Sequence, residues 1–399
     1  MLQITDPDQQ ESTLAFFRLA FRPFFLAGAL FSAISLALWG LTLFYGINFA
    51  PFGGIVWWHM HEMLFGFTLA IIAGFLLTAV QTWTGIKSVK GLSLILLFGL
   101  WLAARVLLLI PDAMSPLFIA VLDVAFPLVT AGIMASFVIR KKMWRNLVFA
   151  PILLLMAVAS AMMYAGAIRQ DFALSYQGAY GGVYLIAFLM VVLGGRVIPF
   201  FTASKLGFTK AEPIKQLELT AIIPLGLIVL MMLSGIDDRF PLVTALLAGI
   251  CFVANLIRFW RWKGYKSLSV PLLWSLHGAY LFIIFGLLLM TLRYAGLPVA
   301  PTIMIHAVTV GGIGGLILAM IARVSLGHTG RPLKAGMPVQ LAFLLILMAA
   351  VVRLLPAVMP AFYTVFILTS ICLWVLAYGI FFVVYLPILS SPRVDGKDG

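Results

Sequence analysis

The stretch Lys90–Ile110, KGLSLILLFGLWLAARVLLLI, decides the fold. Between Lys90 and its far end it holds a single charge, Arg105. A helix of about 20 residues rises about 30 Å, the thickness of the hydrocarbon core of a bilayer. A run this apolar on every face has no polar side to turn toward water, so it reads as a transmembrane helix. Working outward, comparable runs occupy 23–45, 57–82, 116–139, 146–166 and 175–201 on either side of it. The second half adds 217–235, 241–260, 270–293, 301–325, 337–355 and 361–388.

The reading is an all-α, polytopic integral membrane protein with twelve transmembrane helices. It forms a single domain over 23–388, with short polar segments at 1–22 and 389–399. Composition agrees. Hydrophobic residues make up 63% of the chain and charged residues 10%, against about 25% charged in a soluble domain. A soluble fold of this composition would leave mostly apolar surface facing water. The loops are too short to hold a separate soluble domain.

The formal net charge is +13, which in a soluble protein would point to nucleic acid. Here the arrangement of the cations has another explanation. One set of alternate loops receives only Arg169, Arg239, Arg293 and Arg353. Apart from Arg105 and Arg196, which fall within spans, every other Lys and Arg lies on the opposite side. By the positive-inside rule the basic side is cytoplasmic, which places both termini inside. One missed or invented helix would invert all later loops and erase the asymmetry. The polar N-terminus, with Asp6, Asp8 and Glu11, lacks the basic n-region of a cleaved signal, so the first helix is expected to be its own insertion signal. Cys251 and Cys372 lie in apolar runs and give no disulfide framework.

Ionisable residues within spans are costly and mark functional sites. His59 and His61 fall in the outermost turns of the second helix, beside Glu62. His306 lies one turn into the tenth helix from the same side. Asp123 and Arg105 sit at a similar outer depth. Glu62 and Asp123 are therefore candidates for proton handling, and the simpler reading is an ion pair with Arg105 that locks helices two, three and four. Arg196, near the inner end of the sixth helix, can snorkel to headgroups. His59 and His61, two apart, point roughly 200° away from one another on a helix. Either they serve two centres, or one binds while the other hydrogen-bonds. Imidazole suits haem iron, copper or zinc, and a thioether from Met60 or Met63 favours copper(I). The simpler reading makes Trp57 and Trp58 interfacial belt residues with the histidines among headgroups. His306 precedes Gly311-Gly312-Ile313-Gly314-Gly315, which would let a flat macrocycle approach the backbone. The same glycines form a small-residue helix-packing pattern.

Several motifs resemble one family. They are Phe21-Arg22-Pro23-Phe24-Phe25, His59-Met60-His61-Glu62-Met63-Leu64-Phe65-Gly66, Gly74-Phe75-Leu76-Leu77-Thr78-Ala79 and Trp83-Thr84-Gly85. Trp101-Leu102-Ala103-Ala104-Arg105 and Gly195-Arg196-Val197-Ile198-Pro199-Phe200-Phe201-Thr202 follow. His306-Ala307 and Arg323-Val324-Ser325-Leu326-Gly327-His328-Thr329-Gly330-Arg331-Pro332-Leu333 bracket the tenth helix. Together they resemble the NnrS family of bacterial membrane proteins across essentially the whole chain. The resemblance implies a multi-pass protein of the bacterial cytoplasmic membrane that contains haem b and copper. It also implies a role in the nitric oxide response, beside denitrification or nitrosative-stress functions. His59, His61, His277, His306 and His328 match family histidines and become the candidate metal ligands.

Combining these readings gives a haem–copper protein that binds nitric oxide, with its reduction as the candidate chemistry. The alternatives are a transporter on the same topology and a haem-based sensor without turnover. The expected axial pair is His306 with a histidine of the second helix, and Arg105 and Arg196 are candidate cofactor contacts. The remaining histidine of the second helix is expected to serve copper. His277, His328 and Arg196 share the inner level and are expected to form a second centre there. The expected partners are the lipid bilayer, nitric oxide and an electron donor, with no nucleic acid. The identity of the donor and the oligomeric state have no signature in the sequence.

Overall fold

A computed structural model describes residues Leu14–Gly396. The acidic residues Asp6, Asp8 and Glu11, and Lys397, lie outside the described residues. The structure is 82% helix, and no strand occurs among the described residues. Among the described residues twelve helices are long and apolar enough to cross a bilayer. They are α1 (Phe21–Tyr45), α2 (Gly54–Thr84), α3 (Leu92–Leu109), α4 (Pro116–Arg140), α5 (Trp144–Arg169) and α6 (Phe172–Leu206). The second half comprises α7 (Lys215–Ser234), α8 (Pro241–Arg261), α9 (Pro271–Tyr294), α10 (Pro301–His328), α11 (Met337–Ala357) and α12 (Pro360–Ser390). All twelve expected spans are present. The largest difference is α6, whose 35 residues rise about 50 Å, so it must tilt or project beyond the hydrocarbon.

Local chemistry sets the helix ends. Pro116, Pro241, Pro271 and Pro301 stand at the first helical position, where a missing N–H costs nothing. Ser115 and Asp171 accept hydrogen bonds from the backbone N–H of Phe118 and Leu174, capping α4 and α6. Gly46 and Gly235 take φ of 67° and 69° and close α1 and α7 in the left-handed conformation that glycine adopts without strain.

Burial sorts the helices. Within their apolar windows α2 is 83% and α10 78% buried, whereas α3 and α7 are each 33% buried. The two central helices are therefore those that carry His59, His61 and His306. Both change pitch directly after these histidines, into π-helical turns at Glu62–Thr68 and Ala307–Gly314. Such wide turns are rare and concentrate at functional sites. Side chains fasten them. Thr68 Oγ1 donates to the Met63 carbonyl at 2.8 Å. Trp101 of α3 donates to the Gly66 carbonyl, and Tyr378 of α12 to the Gly314 carbonyl, each at 2.8 Å.

The glycine run of α10 serves packing. A Cβ at Gly311 would lie 2.2 Å from Phe282, at Gly314 2.4 Å from Trp374, and at Gly315 2.7 Å from Ala279. Side chains of α9 and α12 fill these positions, as the small-residue packing reading expects.

Three arginines expected outside the spans, Arg22, Arg258 and Arg353, are buried instead. Arg258 of α8 is 1% exposed and pairs with Glu218 of α7 at 2.9 Å. A Cβ at Gly195 of α6 would sit 1.6 Å from its guanidinium. Arg353 of α11 is 8% exposed. The loops still alternate between a basic end, which holds the α2–α3, α4–α5, α6–α7, α8–α9 and α10–α11 connections, and a far end that holds the others.

Candidate functional site

The far-end halves of α2 to α5 hold a buried ion cluster. Arg105 of α3 donates to Glu62 Oε1 at 2.9 Å, and its other terminal nitrogen pairs with Asp123 of α4. His61 lies between the same two acids, with Nδ1 2.9 Å from Glu62 Oε1 and Nε2 3.1 Å from Asp123 Oδ2. Tyr164 of α5 donates to Asp123 Oδ2 at 3.2 Å, and Ser160 lies 3.3 Å from His61 Nε2. Glu62 and His61 are fully buried, and Arg105 and Asp123 nearly so. An ionised carboxylate only accepts, so a ring flanked by two of them offers N–H from both nitrogens. In that state two carboxylates face two cations, and the cluster is neutral. Neutrality is what makes it tolerable away from water.

The cluster is tightly framed. The Trp57 ring stacks on His61 at 4.6 Å and 7°, and its N–H donates to the Met163 carbonyl at 3.0 Å. Trp57 and Trp58 are 5% and 1% exposed, so neither is the interfacial belt residue that the sequence suggested. A Cβ at Gly66 would lie 2.7 Å from Arg105 Nη1 and 2.8 Å from Glu62 Oε2. Glu62 Oε2 is the one carboxylate oxygen of the pair that is buried without a partner.

His59 faces the other way, as its spacing requires. Its ring stacks on Trp39 of α1 at 4.5 Å, and its Nδ1 is buried without a partner. His306 of α10 hydrogen-bonds the Thr302 carbonyl through Nδ1 at 2.6 Å. That bond puts the proton on Nδ1 and the lone pair on Nε2, the arrangement found in metal-ligating histidines. Arg353 Nη2 lies 3.3 Å from His306 Nδ1 and 3.5 Å from Nε2. Arg353 is also within electrostatic reach of His59, and His59 of His306. No carboxylate pairs with Arg353 among the described residues. His59, with a partnerless Nδ1, thus shares a level with His306, whose Nε2 faces Arg353, and with a guanidinium that has no carboxylate partner among the described residues.

The expected inner centre is not assembled. His277 hydrogen-bonds Thr202 Oγ1 at 3.0 Å and packs edge-on against Phe259. His328 lies against Phe21, 5.6 Å between centroids. Arg196 lies over the Phe149 ring at 5.7 Å. The three share a level but face different neighbours. No group of three or more His, Cys, Asp or Glu suited to a metal forms among the described residues.

The family model described as NnrS protein matches residues 15–393. This chain belongs to the NnrS family. Curated proteins show no match. The match spans all twelve helices of this NnrS chain, including both π turns and every histidine. Sequence reasoning did not find Arg353, Trp39, Ser160 or Tyr164 as parts of this NnrS site. Tyr164 and Ser160 lie one turn apart on α5, a polar pair in an apolar helix, and that signal was available. Arg353 read as a loop cation, and nothing in its neighbours points to His306.

Proposed function

We propose that this chain is a haem-binding membrane protein of the nitric oxide response, with its reactive site between α2 and α10 at the far end. The supporting observation is the His59–His306–Arg353 group. Its donor set suits haem b, with two imidazoles for the iron and a buried guanidinium for the propionates. His59 and His306 would hold the iron, and Arg353 would neutralise the acid side chains. Haem, when bound, would supply the nitric oxide binding and the electron transfer. Among the described residues no separate donor set for copper forms, so copper would be an alternative occupant of this site, drawing on His59 with Met63, which follows it by one turn.

The protein's own contribution is orientation and charge. The Thr302 carbonyl fixes the His306 ring. Trp39 holds the His59 ring and covers one face from water. The neutral cluster of Glu62, His61, Arg105 and Asp123 braces α2 one turn below, and the partnerless Glu62 oxygen is the group placed to take a proton. Reduction of nitric oxide would need electrons from an external donor. Nitric oxide is small, neutral and lipid-soluble, so it reaches such a site through the bilayer. In this reading the basic end faces the cytoplasm of a bacterium and the site lies toward the outer surface.

The test is an optical spectrum with metal analysis on the purified protein, repeated after nitric oxide is added to the reduced form. The expected result is a Soret band that shifts with nitric oxide and is lost in His306→Ala and His59→Ala. Arg353→Gln should weaken haem retention without abolishing it. A colourless, metal-free protein would favour a transporter on the same topology. A haem spectrum without nitric oxide consumption in the presence of a reductant would leave a sensor.

A further inference from the structure

At the basic end, α6, the α6–α7 loop, α7 and the end of α8 meet around a small recess of about 30 Å³. Gly195 and Pro199 of α6 form one wall. Lys210 and Glu212 of the loop, Glu218 of α7, and Arg258 and Arg261 of α8 supply the charges. The sequence builds this recess in two ways. Gly195 has no side chain, which lets the Arg258 guanidinium press against α6. Arg261 Nη2 donates to the Glu212 carbonyl at 2.8 Å and so ties the loop to α8.

Arg258 is anchored from within. Its Nη1 donates to Asn255 Oδ1 at 3.0 Å, an oxygen that also accepts from the Tyr280 hydroxyl at 2.7 Å. Its Nη2 pairs with Glu218 Oε2 at 2.9 Å. Its Nε is buried without a partner. A guanidinium carries five donors and no acceptor, and a charged donor left unmade in the interior is costly. Arg258 lines the recess, so an acceptor held there is within its surroundings.

The charges do not balance. Glu218 serves Arg258, and Glu212 stands exposed at the rim. Neither Lys210 nor Arg261 has a carboxylate partner among the described residues. Three cations against two carboxylates leave one positive charge around the recess. Water would satisfy a donor and leave that charge in place, whereas one monovalent anion answers both. Size narrows the choice. One water needs about 10–15 Å³ by this measure, so the recess admits one or two water-sized particles and excludes a phosphate group.

We infer that the recess binds one small monovalent anion of chloride size, held by Arg258 at the floor and by Lys210 and Arg261 at the mouth. The bound anion cancels the residual charge and fastens the α6–α7 loop to α8. The exposed rim gives it access from the water at the basic end. The site stands at the opposite end of the bundle from His59 and His306 and does not depend on haem.

The test is the chlorine NMR linewidth of chloride titrated onto the full chain in detergent, with gluconate as the background anion. Wild type should show saturable broadening that bromide displaces and inorganic phosphate does not. Lys210→Gln combined with Arg261→Gln should remove the broadening. Ala211→Leu should remove it as well, because Ala211 lines the recess and the change fills it without altering charge. Unfolding of both variants in gluconate reports that they remain folded. Absence of saturable broadening in wild type would overturn the proposal, as would broadening that survives the double change. Broadening that survives Ala211→Leu would mean diffuse loop charge rather than a site, and displacement by phosphate would mean a larger one; either result also overturns it.

Discussion

His61 and Asp123 meet at 3.1 Å, Nε2 to Oδ2, while the other ring nitrogen of His61 contacts Glu62. A ring with both nitrogens engaged by carboxylates has no lone pair left for a metal, whereas His59 has a buried nitrogen with no partner. The two histidines of α2 should therefore respond in opposite ways to substitution. His61→Gln is expected to lower stability by about 3–5 kcal/mol, as when one member of a buried ion cluster is removed. It should leave haem per folded molecule unchanged. His59→Gln should lose haem and melt within about 1 kcal/mol of haem-free wild type. Thermal unfolding in detergent, combined with haem assay of the folded fraction, separates the two. Equal haem loss in both variants would contradict this division.

Arg105 bridges two acids, so the energetics of the cluster should be non-additive. Arg105→Met leaves two carboxylates facing one cation and should be more harmful than Arg105→Met combined with Asp123→Asn, which restores the balance. A coupling energy of about 0.5–3 kcal/mol is expected from the double-mutant cycle. Additive losses would mean that the residues are neighbours without being a unit.

Gly66→Ala adds one methyl where Arg105 Nη1 and Glu62 Oε2 already stand within 3 Å. The overpacking should cost about 1–3 kcal/mol. Glu62→Asp in the same background, which keeps the charge and withdraws the carboxylate, should recover part of the loss. A Gly66→Ala protein as stable as wild type would show that the π turn relaxes freely.

A reporter fused after Ser391 should read as cytoplasmic, and one placed in the Gly46–Gly53 loop as external. The alternation of basic and nearly uncharged loops motivates this expectation. Both reporters on one side would break the twelve-span topology.

The spans were legible because the bilayer imposes a length and an apolarity that a single sequence displays. Depth was legible for the same reason. Once Glu62, Arg105 and Asp123 are each counted from a helix end, they fall at one level, and α2, α3 and α4 are sequential neighbours. Lateral position was not legible. His277, His328 and Arg196 also share a level, but depth does not say which faces meet, and the structure places them against Thr202, Phe21 and Phe149. The π turns carry no signature beyond their glycines. Arg353 reaches His306 only because α10 and α11 pack with those faces inward, a matter of tertiary contact.

The pairing of Arg258 with Glu218 bears on how the chain enters the membrane. The two charges sit on α7 and α8, a hairpin whose helices emerge one after the other, so the arginine meets its counter-charge within the newly made pair. Gly195 on the preceding α6 then offers a bare backbone against which the guanidinium can settle. The cluster of Arg105 has no such local solution. Its acids stand on α2 and α4, so α3 carries an unmatched cation until helices on both sides are present. Release of α3 into lipid by itself would leave that charge one turn from the helix end without a counter-charge, at less than the roughly 2.5–3.5 kcal/mol that insertion scales give at a helix centre. The first four helices therefore gain from partitioning as a block, whereas α7 and α8 can leave as a couple.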